Sequence, residues 1–355
     1  MNQHNLLQKL IEARGPAGQE DEVREICLEQ LRSLCDEVRT DPAGNVIGRI
    51  RGKDGTLPEN AIRIMAHMDE IAMIVKRINP DGTLRINNLG STRPCDFGQG
   101  PVEILADSGI LPGIVSIAPQ HTTKETPNME ATKTGMMEWQ HVHVFTGHSA
   151  EDMEKLGVGA GTRVVIARER RKIVLVGDFL GGYFMDDRAG IVTALETATL
   201  LRNARKKPAQ DVYFVMTTEE ERGGIGASYA ARALPGNLVV GIEVGPASDE
   251  YGIKLNAEPV VVFGDVRCGY TKPVADRLLE TARKLGMKPQ RAVLENYNCD
   301  ASVSKSYGQS PCAALVCIPT QNTHGYEIIH RDGIRNCARL LATFLIEGEG
   351  HKKQT

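Results

Sequence analysis

Apolar positions along the chain follow two rhythms. Val23, Ile26, Cys27, Leu31 and Leu34 recur at helical spacing with acidic and basic residues between them. That predicts an amphipathic helix within 17–38, packed on a larger body. Residues 61–66 form a short apolar run that predicts a strand. From about 73 to about 173 the pattern breaks into short β-type pieces, 73–78, 101–105, 141–145 and 162–167, set apart by glycine and proline. One helical stretch near 150–156 interrupts them. Beyond 173, strands and helices alternate. Strands are predicted at 173–177, 212–216, 238–242, 292–294 and 312–318, and helices at 189–203, from 226, at 272–285 and at 334–346.

Alternation of this kind implies an α/β fold, a mostly parallel sheet flanked by helices. The early helix and the 61–66 strand belong to it. The block at 73–173 is too long to be a loop. It reads as a small, β-barrel-like domain inserted into the α/β domain, which comprises 1–72 and 174–355.

Composition narrows the function. A formal net charge of -3 and a pI near 6.3 offer no attraction to phosphate backbones or anionic lipid, so neither nucleic acid nor membrane is an expected partner. No apolar run approaches the ~20 residues that span a bilayer, and the first residues lack a secretory pattern. Eight cysteines with no CxxC spacing point to buried thiols in a reducing compartment, hence the cytoplasm.

In open parallel sheets, ligands gather beyond the carboxyl ends of the strands. Acidic and imidazole groups recur there: His67, Asp69 and Glu70 after the 61–66 strand, Asp186 and Asp187 at a helix start, Glu219, Glu220 and Glu221 after the 212–216 strand, Glu243 ending the 238–242 strand, and His324 after the 312–318 strand. Each has a plain alternative: Asp186 and Asp187 as a helix cap, the glutamate run as a solvated helix start, a single His as a structural residue. Their coincidence favours a metal site. Two dications about 3.5–4 Å apart need a shared carboxylate between them and further ligands on each side. A free carboxylate nearby can then deprotonate water.

These residues also carry a resemblance. The segments at 67–70, 185–190, 217–227 and 318–324 resemble the successive motifs of the tetrahedral metallo-aminopeptidases, a family of glutamyl, leucyl, lysyl and deblocking aminopeptidases, some labelled endoglucanases. The resemblance covers nearly the whole chain and implies a zinc-peptidase-like catalytic domain. It implies that His67, Asp186 and Glu243 hold one metal, and that Asp186 bridges to a second held by Glu221 and His324. Zinc or cobalt is implied first, with manganese also compatible. Glu220 is the implied general base, and Asp69 the residue that accepts the other N–H of His67 and fixes its tautomer. A cis Asp186–Asp187 bond, peptide substrates and a hollow tetrahedral dodecamer built through the inserted domain follow from the same resemblance. Two departures stand out: Glu243 occupies a position that usually holds aspartate, and His324 is followed by Gly325, Tyr326 and Glu327 in place of Ser-Pro. Asp300 is a weak site candidate, in a segment replacing the family's usual turn.

The implied activity is aminopeptidase hydrolysis. An N-deacylase or carboxypeptidase-like amide hydrolase with the same metals is the alternative, and a non-catalytic scaffold and a glycosidase are further rivals. Four other features read as structural: His141 and His143 on one strand face, the glycines at 157–161 as a turn, the basic run 202–207 at a helix end, and Cys299 as a buried thiol.

Overall fold

The computed structural model describes residues 3–117 and 137–348. The part of the β block at 118–136 lies outside the described residues. Two helices, Gln3–Glu12 and Asp21–Leu34, open the chain. Strands β1 (Glu37–Thr40), β2 (Val46–Ile50) and β3 (Ile62–His67) follow. The chain then leaves the sheet for β4 (Ala72–Ile78), β5 (Leu84–Leu89), β6 (Gly100–Ala106), β7 (Gly109–Ser116), β8 (His143–Phe145) and β9 (Arg163–Ile166). It returns through β10 (Val174–Val176) and β11 (Phe179–Tyr183) to the long helix Met185–Asn203. Strands β12 (Val212–Thr217), β13 (Leu238–Pro246), β14 (Val260–Val262), β15 (Gln290–Ala292), β16 (Cys312–Gln321) and β17 (Tyr326–His330) complete the set. Between them lie helices Ile225–Ala233, Lys272–Lys284 and Asp300–Ser306, and helix Gly333–Glu347 comes last.

The main sheet has eleven strands, in the order β1-β2-β12-β3-β13-β16-β17-β11-β10, with β14 and β15 branching from β16. Its centre is parallel: β12, β3, β13 and β16 run side by side, with Thr217 opposite His67 and Glu243 opposite Cys317. Both flanks are antiparallel, so the sheet is mixed. The central strands are mostly apolar and buried because helices cover both faces. Ile62, Ile64 and Ala66 of β3 pack under helices Asp21–Leu34, Met185–Asn203 and Gly333–Glu347, while Met65 faces the layer containing Ala227, Ala230 and Ala301. The six strands β4-β5-β8-β7-β6-β9 close into a barrel with its own core, including Met73, Val102, Ile104, Val144 and Val164.

The structure revises three expectations. The 173–177 strand does not feed a helix directly. It is β10, the outer arm of a hairpin with β11, and its Val174, Leu175 and Val176 are all exposed at the sheet edge. A two-residue turn with Gly177 at φ 59° makes the reversal. The 141–145 strand begins only at His143, because His141 ends the 3-10 turn Trp139–His141. The two histidines therefore do not share a strand face. The short strands β1, β2, β14 and β17 and the first helix were not expected. Each is brief or lies on a flank, where apolar periodicity is weak.

The two chain crossings between barrel and sheet meet at one buried ion cluster. Glu70, just before β4, accepts from Arg171, just after β9, at 2.7 Å and from Arg188 at 2.8 Å, and all three side chains are 0% exposed. The arginines spend their other donors on carbonyls: Arg171 on Ile166, Ile11 and Ala13, and Arg188 on Leu10 and Met68. Removing one partner of a buried ion cluster leaves uncompensated charge. Glu70→Ala is therefore expected to cost about 3–5 kcal/mol, read as a lower urea midpoint. An unchanged midpoint contradicts the role given to the cluster.

Candidate metal centre

Each site residue leaves the carboxyl edge of the parallel strands or the helix start facing it. His67 ends β3, Glu243 lies inside β13, Glu219 to Glu221 follow β12, and His324 follows β16. Asp186 and Asp187 stand at the head of helix Met185–Asn203 with non-helical backbone angles, joined by a cis peptide bond. Phe184, Glu219 and His324, each at or beside a site position, have positive φ. Non-glycine residues held in that region cluster at functional sites.

The side chains converge. His67 Nε2 lies 2.9 Å from Asp186 Oδ1 and 3.5 Å from Glu243 Oε1. His324 Nε2 lies 3.4 Å from Asp186 Oδ2 and 3.5 Å from Glu221 Oε1. The two oxygens of Asp186 thus face two different clusters. Both imidazoles use their other nitrogen on a backbone carbonyl: His67 Nδ1 on Asp69 O at 3.0 Å, and His324 Nδ1 on Ser91 O at 2.5 Å. A carbonyl only accepts, so each ring keeps a proton at Nδ1 and turns Nε2 toward carboxylates. An Nε2 lone pair facing a carboxylate is repulsive unless a proton or a cation stands between them.

Burial and charge describe the same competition. Burial raises Glu221 to about 7 and drives Glu220, Glu243 and Asp187 well above the carboxylate range. Burial works against Asp186 too, yet hydrogen bonds with His324 and His67 hold it below its ordinary value. The charge of Glu221 lifts His324 to about 11, and burial opposes the His67 cation but Glu243 and Asp186 outweigh it. The donor set fits divalent cations. Among the described residues three groups bring a ligand atom from each member within 4.8 Å of one another: His67, Glu220 and Glu243; His67, Asp186 and Glu221; Asp186, Asp187 and Glu243. Imidazole nitrogen and carboxylate oxygen are the ligands of zinc, cobalt and manganese.

The surroundings aim these groups. The Asp69 carboxylate accepts the backbone N–H of Glu220 at 2.8 Å and of Glu221 at 3.0 Å. Its nearer contact with the His67 ring is through its own carbonyl, and its Oδ1 lies 3.4 Å from Nδ1. The carboxylate thus orients the glutamate turn as well as lying beside the ring N–H of His67. Gly90 (φ 97°), from the barrel side, lies against Glu221, where a Cβ would stand 3.1 Å from Oε2. A hollow of about 510 Å³ opens beside Asp186 and His324, with Ser91, Arg93, Tyr251 and Asn296 in its wall.

A profile of the M42 glutamyl aminopeptidases matches residues 44–340. The chain belongs to that family. Its members are metal-dependent aminopeptidases. A putative aminopeptidase of Acetivibrio thermocellus is 26% identical over 346 residues, covering 95% of this chain and 96% of its own length. A solved structure of an aminopeptidase from the archaeon Desulfurococcus kamchatkensis superposes with a TM-score of 0.84 at 26% identity, covering 98% and 95% of the two chains. The Pyrococcus horikoshii TET1 peptidase, which can assemble into a tetrahedron or a large octahedral shell, shares the fold with a TM-score of 0.85 at 23% identity over 98% and 100% of the chains.

All six of His67, Asp186, Glu220, Glu221, Glu243 and His324 meet at one place. Two neighbours that sequence reasoning named without giving them a role at the site also reach it. Asp187 accepts the backbone N–H of His67 at 3.2 Å. Glu327 accepts the backbone N–H of both Asp186 and His324 at 3.0 Å. Asp300, the weak site candidate, is buried and accepts from the Thr217 hydroxyl. Of the features read as structural, His143 lies on β8 opposite Arg85 and Ser116 in the barrel, and Cys299 is a buried thiol that burial pushes above its ordinary value. Hydrogen bonds to a charged acceptor contribute about 1.5–3 kcal/mol each. Asp69→Ala is accordingly expected to lower unfolding free energy by about 3 kcal/mol and to loosen the 219–222 turn, seen as faster amide exchange there. Unchanged exchange at Glu220 and Glu221 contradicts the anchoring.

Proposed function

We propose that this chain is a dinuclear metallo-aminopeptidase that removes residues from the free N-termini of peptides. The observation that carries the reading is the placement of Asp186, whose two oxygens address the His67–Glu243 cluster and the His324–Glu221 cluster separately. His67, Asp186 and Glu243 would hold one cation, and Asp186, Glu221 and His324 a second. When bound, these divalent ions supply Lewis acidity, which polarises a carbonyl and acidifies water.

The chain's own groups do the rest. Glu220 is half-buried beside His67 and Glu243, and its buried Oε1 has no hydrogen-bond partner among the described residues. That oxygen is free to accept the proton of the attacking water and to pass it to the leaving amine as the peptide bond breaks. The Asp69 anchor holds Glu220 in place, and the hollow beside Asp186 and His324 receives the peptide's first residue. The fold likeness to the Pyrococcus horikoshii TET1 peptidase supports a homo-oligomer. Eight unpaired cysteines, five of them buried, support a reducing, cytoplasmic setting, and no helix among the described residues is long and apolar enough to cross a membrane.

Aminoacyl-p-nitroanilides and their N-acetylated counterparts separate this reading from a deacylase. Metal-dependent cleavage of the free-amine compounds alone is expected, and cleavage of only the acylated set overturns the assignment. Glu220→Gln keeps the shape but not the base, so turnover is expected to fall about 10²–10⁴-fold with metal content retained. Asp186→Ala is expected to empty both positions by elemental analysis. Two retained equivalents of metal show that the bridge lies elsewhere.

A further inference from the structure

We infer that Glu327 is a positioning residue whose carboxylate sets the separation of Asp186 and His324, and so the affinity of the His324 side of the centre for its cation. The inference rests on the two-cation reading above. Glu327 lies in β17 and is 1% exposed. A carboxylate buried in a strand is costly unless it is fully engaged. Here the two oxygens serve different segments. Oε2 accepts the N–H of Asp186 and Oε1 the N–H of His324, both at 3.0 Å.

Neither N–H has a ladder partner of its own. Asp186 sits in the first turn of its helix, where backbone donors lack intrahelical acceptors. His324 sits in a turn between β16 and β17 with φ 64°. One rigid side chain therefore answers two orphan donors from segments far apart in sequence. Pairing with β11, Glu327 opposite Gly182, fixes the strand that carries it.

The consequence falls on one side of the centre. Asp186 Oδ2 and His324 Nε2 stand 3.4 Å apart, and Glu327 ties together the backbones that carry them. His324 is otherwise held through its ring by the Ser91 carbonyl, which fixes orientation but does not connect it to Asp186. His67 and Glu243 belong to β3 and β13 in the central sheet and make no hydrogen bond to Glu327. Loss of the tie should thus weaken one cation position and spare the other. Groups that orient metal ligands typically change affinity about 10–100-fold.

The test uses the full chain stripped of metal and titrated with zinc by calorimetry. Wild type is expected to take up two ions per subunit. Glu327→Gln, close in shape but short of one acceptor, should bind one ion as wild type does and the other about 10–100-fold more weakly. Anomalous diffraction from crystals given one equivalent of zinc should place the retained ion between His67 and Glu243. Excess zinc should restore the turnover number of E327Q, which a general structural defect would not allow. Glu327→Asp, too short to span both N–H groups, carries the same titration where E327Q does not fold. Wild-type affinity at both positions, equal weakening of both, or activity that excess zinc does not restore overturns the inference. Fewer than two ions in the wild type instead removes the two-cation reading on which it stands.

Discussion

Buried negative charge at the carboxyl edge of the sheet is the constraint on which the rest of the structure depends. Asp69, Asp187, Glu243, Asp300 and Glu327 are all nearly inaccessible, and Asp186, Glu220 and Glu221 stand among them. Two like charges about 4 Å apart repel by about 4 kcal/mol at the effective dielectric of a protein site. Such a group of carboxylates holds together only when fixed donors and positive charge compensate it. The backbone N–H groups of Glu220, Glu221, Asp186, His324 and His67 supply part of that compensation. The imidazoles supply the rest when protonated. A divalent cation is the stronger substitute for those protons, because it satisfies several oxygens and an Nε2 lone pair at once.

Holding that charge in place requires a scaffold that does not relax. The parallel strands provide it, with apolar side chains on both faces under helices. The barrel contributes more than bulk. Its end offers the Ser91 carbonyl that fixes the His324 ring and the Gly90 backbone that lies against Glu221. The Glu70 cluster pins both chain crossings to the segment just after His67 and to the helix that begins at Asp186. The centre is therefore shared between the two substructures, and the geometry of the barrel's attachment is part of the geometry of the site.

What was legible in the sequence follows from what leaves a periodic or chemical trace. Helix Met185–Asn203 and strands β3, β12, β13 and β16 were legible because long apolar runs under helices are distinctive. The ligand types were legible because they stand at strand ends. Glu327 was not, since a lone glutamate in a short flanking strand looks solvated until the strand is seen to pass beneath the centre. Asp187 resembled a helix cap, and it does accept the Gly190 N–H as a cap would, while its other oxygen takes the backbone N–H of His67. The β10–β11 hairpin escaped because three apolar residues in a row suggest a buried strand, whereas these are exposed. Contacts between distant segments carry no local signal in either case.

The run Glu219, Glu220 and Glu221 shows how one local sequence is sorted into different roles by backbone alone. Glu219 has φ 51°, and its N–H lies 3.3 Å from a Glu20 oxygen at the head of helix Asp21–Leu34. The chain turns there, and Asp69 then captures the next two N–H groups. With both backbone positions fixed, the side chains of Glu220 and Glu221 diverge. Glu220 meets His67 and Glu243, while Glu221 meets His324 from the other side of Asp186. Glu243 bears on the same division, because its extra methylene relative to aspartate is taken up within the strand: Oε2 reaches its neighbour Val244 N at 3.3 Å while Oε1 stays 3.5 Å from His67 Nε2. Among the described residues Glu220 keeps an unbonded oxygen, on the His67 and Glu243 side. Its neighbours are each committed, Glu221 to His324 and Glu219 to the turn, which is what supports the proposed role of Glu220 as proton acceptor.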